Sequence, residues 1–509
     1  MSSTHQAIET SADFLSWLAD GPHDNCFTDL EELQQRLTQT HADAIATEQI
    51  QSFCTQVCIR AIDISGRFKP MLLNTALPLP EKLYAGITTL ISVLTKVSNL
   101  LYSLIDKLYK EPPENSSLPE TVVLLSSKGL ELISEAFLVS CMGSINTTNN
   151  GMWRRTSYFI TLFEQPSETK EVLLPETVGM QYKRLLLIST MQPDSLSTRE
   201  AAWAFEYFAP LTRLVALTTT FIPPNRTAFW IDPDLDNPPI AYVRSPPPPD
   251  IHVFYFQAAP LMREISNRIG WLEQRIHDAE LIGLSHEDDL LDTESSGLPL
   301  GLTTLEALLL MRRIRDRWRM PPSREHHRQL RLHSVQVCYG LPNIWRLLHK
   351  GSSTQLTEWT VCNESPGGYA IVSNNPKQLE GILEIGMVLA LRAKNHSQWT
   401  ICIVRRIRTE NAEQIELGLE LLARSSQPVT IGFRGSGMRT VTPALILPPI
   451  MENRRNDAIL APSGTYTSRR FVLISENPRL YVTQGRVLSL DIQTSSIELF
   501  QYETDPYPI

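Results

Sequence analysis

Over the first 225 residues the apolar positions recur at helical spacing. Leu30, Leu33 and Leu37 share one face of a short segment, and Leu90, Leu94, Val97, Leu101, Leu104 and Leu108 alternate steps of four and three along another. Pro78 and Pro80, Pro112 and Pro113, and Pro119 punctuate these runs where one helix stops or the next begins. Ser197 and Glu200 have capping-box spacing ahead of a further helix. This half reads as an all-α bundle or array.

From residue 227 the period shortens. Phe229-Trp230-Ile231 and the run from Ile251 to Phe256 read as strands on either side of Pro246 to Pro249, a stiff elbow. A helix is expected from Ala258 to Ala279, then an acidic, serine-containing linker from His286 to Gly297. Thr303 to Arg319 is expected to be helical, with Thr303 and Glu306 at capping-box spacing. Beyond it, Leu332 to Tyr339, Trp359 to Cys362, Tyr369 to Ser373, Met387 to Arg392, Trp399 to Arg406 and Leu417 to Leu422 predict six short strands and a barrel. Further strands are expected at Val429 to Phe433, Ala444 to Leu447, Phe471 to Ser475, Leu480 to Thr483, Val487 to Leu490 and Ile497 to Tyr502.

The expected organisation is therefore multidomain α + β. A helical domain spans 1–225, a mixed segment 226–297, an arginine-rich helix and arm plus barrel 298–426, and a small β-rich domain 427–509. A chain of 509 residues is long enough for several cores.

Composition narrows the function. With 42% hydrophobic and 20% charged residues the chain is an ordinary folded protein, and its net charge of −9 argues against a general role on DNA or RNA. Seven scattered cysteines without a C-x-x-C pair fit a reducing compartment. The N-terminal residues lack a secretory pattern, and charges interrupt the most apolar stretches before about eighteen residues accumulate, so a cytoplasmic protein without a membrane span is expected.

Against the acidic balance, eight arginines fall within the twenty residues from Arg312 to Arg331. About thirty residues later comes Asn363-Glu364-Ser365-Pro366-Gly367-Gly368. Guanidinium groups grip phosphate in bidentate fashion and stack on bases; a polar turn ending in glycine brings backbone and small side chains to the same ligand. Arg324-x-x-x-Arg328 followed by Asn-x-Ser-x-x-Gly, with the strands after it in the same order, resembles the PilZ domain, a bacterial β-barrel that receives cyclic di-GMP. The resemblance covers residues of about 323 to 425.

It implies a six-stranded antiparallel barrel in which Arg324 and Arg328 lie on an arm that folds over the ligand. Asn363, Ser365 and Gly368 would then make contacts from the barrel surface, Gly368 through close backbone approach or a positive φ. The chain departs from the pattern in two places. Gln329, Leu330 and Arg331 separate Arg328 from the expected strand, so Arg331 can take the place of either arginine. Leu341 to Leu348 reads as an inserted helix, one that could cover the site or block it.

The resulting expectation is a cyclic di-GMP receptor, not an enzyme, that passes the signal to a protein partner through its helical half. The alternative is a nucleotide-free scaffold with a degenerate barrel. Other signals rank lower. His326 and His327 point apart in an extended arm; Cys54 and Cys58 read as buried thiols; Gly432, Gly435 and Gly437 read as a β-turn; and Asp232, Asp234 and Asp236 are interrupted by Pro233. No metal or cofactor is expected.

Overall fold

The computed structural model describes residues 11–112, 118–146, 151–164, 171–220, 227–281, 296–321, 328–351, 356–394, 396–433, 441–450, 454–466, 469–476 and 479–505. Arg324, His326, His327, Gly435, Gly437 and most of the acidic linker lie outside these residues. The chain forms two compact units, Met1–Arg275 with Leu290–Leu302 and Met311–Ser323, and Ile276–Asp289 with Thr303–Leu310 and Arg324–Ile509.

The first unit contains α1 (Ser11–Ala19), α2 (Cys26–Gln39), α3 (Ile50–Leu73), α4 (Glu81–Lys110), α5 (Leu118–Met142), α6 (Met152–Thr161), α7 (Glu176–Ser189) and α8 (Thr198–Leu211). The leucine ladder of α4 is the buried face the spacing predicts. α4 is long and apolar enough by composition to cross a membrane. Here that apolar face packs on α2, α3 and α5. α5 is buried nearly all round, as befits a central helix that touches α3, α4, α6, α7 and α8. Its Glu135 is neutralised by Lys69 at 2.5 Å and accepts a hydrogen bond from Ser65.

Ser197 and Glu200 form the expected capping box at α8. A small antiparallel sheet follows, built from β1 (Leu217–Thr218), β2 (Ala228–Ile231), β3 (Ile240–Ala241) and β4 (Phe254–Gln257) in the order β1-β4-β2-β3. In the loop after β2, Asp236 accepts from the backbone N–H groups of Gly151, Trp153 and Arg154 at 2.8, 2.8 and 3.3 Å. It caps α6 from a distance of more than eighty residues, a structural account of the acidic triplet. Cys54 and Cys58 are buried, and burial pushes both thiols up. The expected helix after the elbow is α9 (Ala259–Leu281).

α10 (Thr304–Arg319) begins with the predicted Thr303–Glu306 box: the Thr303 N–H donates to Glu306, and the Glu306 N–H donates to Thr303 Oγ1. Three of its arginines are engaged by other elements. Arg313 pairs with Glu200, Arg317 donates to Ser195, and Arg312 lies 2.7 Å from Glu273. Trp318, next to Arg317, is fully buried, its indole N–H donating to Thr190 Oγ1 at 2.8 Å.

The second unit holds two closed six-stranded antiparallel barrels. The first is built from β5 (Gln329–Tyr339), β6 (Thr357–Ser365), β7 (Gly368–Ser373), β8 (Val388–Ala393), β9 (Thr400–Asn411) and β10 (Gln414–Ala423), with α11 (Leu341–Lys350) inserted after β5. The second uses β11 (Gln427–Phe433), β12 (Thr442–Leu447), β13 (Ala458–Pro462), β14 (Arg470–Ser475), β15 (Tyr481–Gln493) and β16 (Ile497–Thr504). Round the first barrel the strands run 5-6-7-10-9-8, and round the second 11-12-13-16-15-14. Strand for strand the two circuits are identical, so the expected small β-rich domain is a topological repeat of the first barrel. Two expectations are corrected. The segments around Leu480 and Leu490 form one long bulged strand, β15, and β13 completes the closure.

Each barrel has its own filling: Val429, Ile431, Phe433, Ile459, Phe471, Leu473 and Phe500 line the second. A further core lies between the barrels. Cys338, Val388, Ala390, Ile401 and Ile403 of the first meet Leu445, Leu447, Ala458, Leu460, Ile497 and Leu499 of the second. The inserted helix α11 packs in this junction through Leu341 and Ile344, and its Trp345 indole donates to the Val429 carbonyl at 2.7 Å. It follows the opposite end of β5 from Leu330, so it serves the barrel junction rather than covering the motif.

Candidate functional site

The Asn-x-Ser-x-x-Gly motif folds as one hairpin. β6 ends at Ser365, Pro366 and Gly367 make the turn, and β7 begins at Gly368. Alternation along a strand puts Asn363 and Ser365 on the same face, and the tight turn brings Gly368 opposite Ser365. The Ser365 hydroxyl lies 3.4 Å from the Gly368 carbonyl. A Cβ on Gly368 would stand 2.0 Å from the carbonyl oxygen of Leu419 on β10. Close approach of the neighbouring strand therefore demands the glycine, and its φ lies outside the left-handed region.

Register carries these positions across the barrel. Leu330 (β5) faces Asn363 (β6), which faces Ala370 (β7), which faces Gly418 (β10), which faces Arg406 (β9). One step along, Ser365 faces Gly368 and Gly368 faces Glu420. Facing residues share a side of the sheet. The interior positions are taken by Val361, Ile371, Leu417 and Ile407, so both rows lie on the outer surface.

Each row starts from a polar motif residue, crosses small residues and ends at an arginine–glutamate pair. Arg406 pairs with Glu416, and Arg405 Nε lies 2.7 Å from Glu420. A bulge between Gly418 and Leu419 leaves Arg405 as the extra residue of β9. Gly418 lets Arg406 recline: a Cβ there would lie 3.1 Å from Arg406 Cβ and 3.3 Å from its Nε. Beside the rows, burial and the neighbouring Glu416 push the Cys362 thiol up, which leaves it a poor nucleophile.

The arm is partly described. Arg324 lies outside the described residues. Arg328 is exposed immediately before β5, because the strand begins at Gln329, three residues ahead of the expected start at Leu332. The second arginine therefore adjoins the strand after all. Arg331 sits in a bulge between Leu330 and His333, with its Nε 3.1 Å from Glu364 and its guanidinium donating to Gln329 at 3.2 Å. It ties the foot of the arm to the middle of the motif. Leu330 and Leu332 flank it at 88% and 79% exposure, apolar side chains left in water at the head of the row.

Arg328, Arg331, Asn363, Ser365 and Gly368 thus fall on or beside the β5–β6–β7 end of one barrel. The residues at the other end, Arg405, Arg406, Glu416 and Glu420, were not singled out from the sequence. Their signals were the basic run Val404-Arg405-Arg406-Ile407-Arg408 and the alternation Glu416-x-Gly418-x-Glu420. Among the described residues no group of histidine, cysteine, aspartate and glutamate could hold a metal ion.

Residues 12–224 match the family described as "Cyclic-di-GMP receptor FimW, N-terminal domain", and residues 346–428 match "Cyclic-di-GMP receptor FimW, middle PilZ domain". The second match holds Asn363, Ser365, Gly368 and both arginine–glutamate pairs; the arm arginines precede it. The chain is also similar to the cyclic-di-GMP receptor FimW of Pseudomonas aeruginosa, 28% identical over 148 residues, a stretch covering 28% of this chain and 23% of the relative. No solved structure matches. The middle match, residues 346–428, lies on the barrel that carries the motif, and this segment of the chain is thus similar to a PilZ domain.

Proposed function

We propose that this protein is a cyclic di-GMP receptor whose first barrel binds the dinucleotide on its outer face. Arg328 and Arg331, with Arg324 ahead of them, would supply the arm; Asn363, Ser365 and Gly368 would supply the surface beneath it. The observation that carries the reading is the register, which sets Asn363 and Ser365 side by side on that face, next to the strand from which the arm departs. The similarity to FimW, named as a cyclic-di-GMP receptor, supports the choice of ligand. We further propose that residues 1–225 form the domain that meets a protein partner. Ordering of the arm would then bias partner binding by the ligand's differential affinity for the two arm states.

Calorimetric titration of cyclic di-GMP into the full chain at fixed salt tests the receptor reading. Saturable binding is expected, weakened by roughly 1.5–3 kcal/mol in Arg328→Ala, since a charged hydrogen-bond partner is lost. Absence of heat and of ligand-induced stabilisation would sink it. One observation favours a second reading, a scaffold that has lost the nucleotide: Glu416 and Glu420 already neutralise arginines of the same face. On that reading Arg328→Ala leaves partner binding untouched.

A further inference from the structure

The rows that begin at Asn363 and Ser365 do not stop at the motif. We infer that Arg406, at the β9 end of the Asn363 row, and Arg405, in the bulge beside it and paired with Glu420 of the Ser365 row, are ligand-binding residues for the two phosphodiester groups of a cyclic dinucleotide, and that Glu416 and Glu420 hold these arginines in the ligand-free state as carboxylate stand-ins for phosphate. The inference rests on the proposal that this face binds cyclic di-GMP.

Three observations lead to it. First, the rows have the right extent. Asn363 and Arg406 stand three strands apart, roughly 14 Å at about 4.8 Å per strand, and only Ala370 and Gly418 come between them. Second, Arg406 does not reach outward. It reclines over the bare backbone of Gly418 on β10 and pairs with Glu416, two residues along the same strand, so its guanidinium lies flat on the face beside the row. Third, the charge belongs to this site and not to the topology. On the outer face of the equivalent strands of the second barrel, the row Pro428, Leu445, Leu460, Leu499 and Ile492 carries no charge at all.

The exchange is chemically simple. A partly exposed arginine–glutamate pair is weak, and a phosphodiester accepts the same parallel N–H donors as a carboxylate. A ligand with two phosphates set against two adjacent arginines, each held by its own glutamate, would displace both carboxylates without desolvating a bare cation. Glutamate here is a competitor, and removing its charge favours the ligand. A purely structural ion pair predicts the reverse, or nothing.

The test is calorimetric titration of cyclic di-GMP into the full chain at fixed salt, for wild type, Arg406→Ala, Arg406→Lys, Arg405→Ala and Glu416→Gln, with thermal melting of each as a control of folding. Arg406→Ala and Arg405→Ala should each weaken binding about tenfold or more. Arg406→Lys should fall between Arg406→Ala and wild type because it keeps the charge without the fork. Glu416→Gln should bind about threefold or more tighter than wild type. Wild-type affinity in Arg406→Ala, or binding no tighter in Glu416→Gln, overturns the inference while leaving the receptor reading intact. If Arg406→Ala fails to fold, Glu416→Gln decides. A wild type that does not bind overturns both.

Discussion

Across five strands of the first barrel one row of facing side chains reads Leu330, Asn363, Ala370, Gly418, Arg406; across the equivalent strands of the second it reads Pro428, Leu445, Leu460, Leu499, Ile492. The circuits are the same and the face is the same. In the second barrel that face is apolar, and Leu445, Leu460 and Leu499 are buried against the first barrel. In the first it carries an amide, small residues and a guanidinium, and Leu330, Asn363 and Arg406 remain at least partly exposed. One topology thus supplies both a dry docking face and a polar candidate site, and the residues of a single row decide which.

The sharpest way to break this comparison is to exchange the chemistry of the row. Leu460→Arg would place a charge, without a designed partner, inside the core between the barrels. Such a change typically costs at least about 3–5 kcal/mol. Denaturant unfolding should then show the second barrel melting ahead of the first; a single unshifted transition would mean that the junction contributes nothing. Next in size is Gly368→Val. The Leu419 carbonyl stands where the new Cβ would go, so β7 and β10 must separate. A loss of about 2–4 kcal/mol is expected in thermal or chemical denaturation, as for overpacked or strained sites. Smaller again is Trp345→Phe, which strips the Val429 carbonyl of its indole donor while keeping a ring in the junction. It should cost about 1–2 kcal/mol, and unchanged stability would show that water replaces the indole.

These sites also mark what could be read in the chain and what could not. The helical half was legible because its apolar residues recur every three or four positions, and the motif was legible because Asn363, Ser365 and Gly368 belong to one hairpin, where spacing in sequence is spacing in space. The far ends of the rows were not. Linking Asn363 to Arg406 needs the register of three strand pairs, and the bulge at Arg405 changes the phase of β9 on the way. The second barrel escaped for other reasons. β13 is a short apolar run ending in Pro462, buried on both faces, so it lacks the alternation that announces a half-exposed strand. Gly485 falls between the two segments expected as separate strands in what is one continuous strand; its missing side chain makes room for the Phe471 ring. The arginine cluster drew attention by composition, yet Arg313 and Arg317 are engaged by Glu200 and Ser195 of the helical unit.

A finer contrast separates the glutamates of the two barrels. Glu416 and Glu420 of the first sit against guanidinium groups and are partly exposed. Glu498 of the second is buried and accepts hydrogen bonds from the backbone N–H groups of Gly464 and Tyr466 at 3.1 and 2.8 Å and from the Gln493 amide at 2.9 Å. Burial outweighs those neutral donors and raises its carboxyl above the ordinary value of 4.5. A folded-state value above the unfolded one means that the native state holds the proton more tightly. The stability this supplies is fully present below about pH 4.5. It is lost as pH rises through the raised value. Glu498→Ala removes the titrating group, so the stability gap between wild type and this variant should be wider at pH 4 than at pH 7, by denaturant unfolding at both values. A gap that widens toward neutral pH would mean instead that the N–H donors dominate, and that this barrel too holds its glutamate as a stabilised anion.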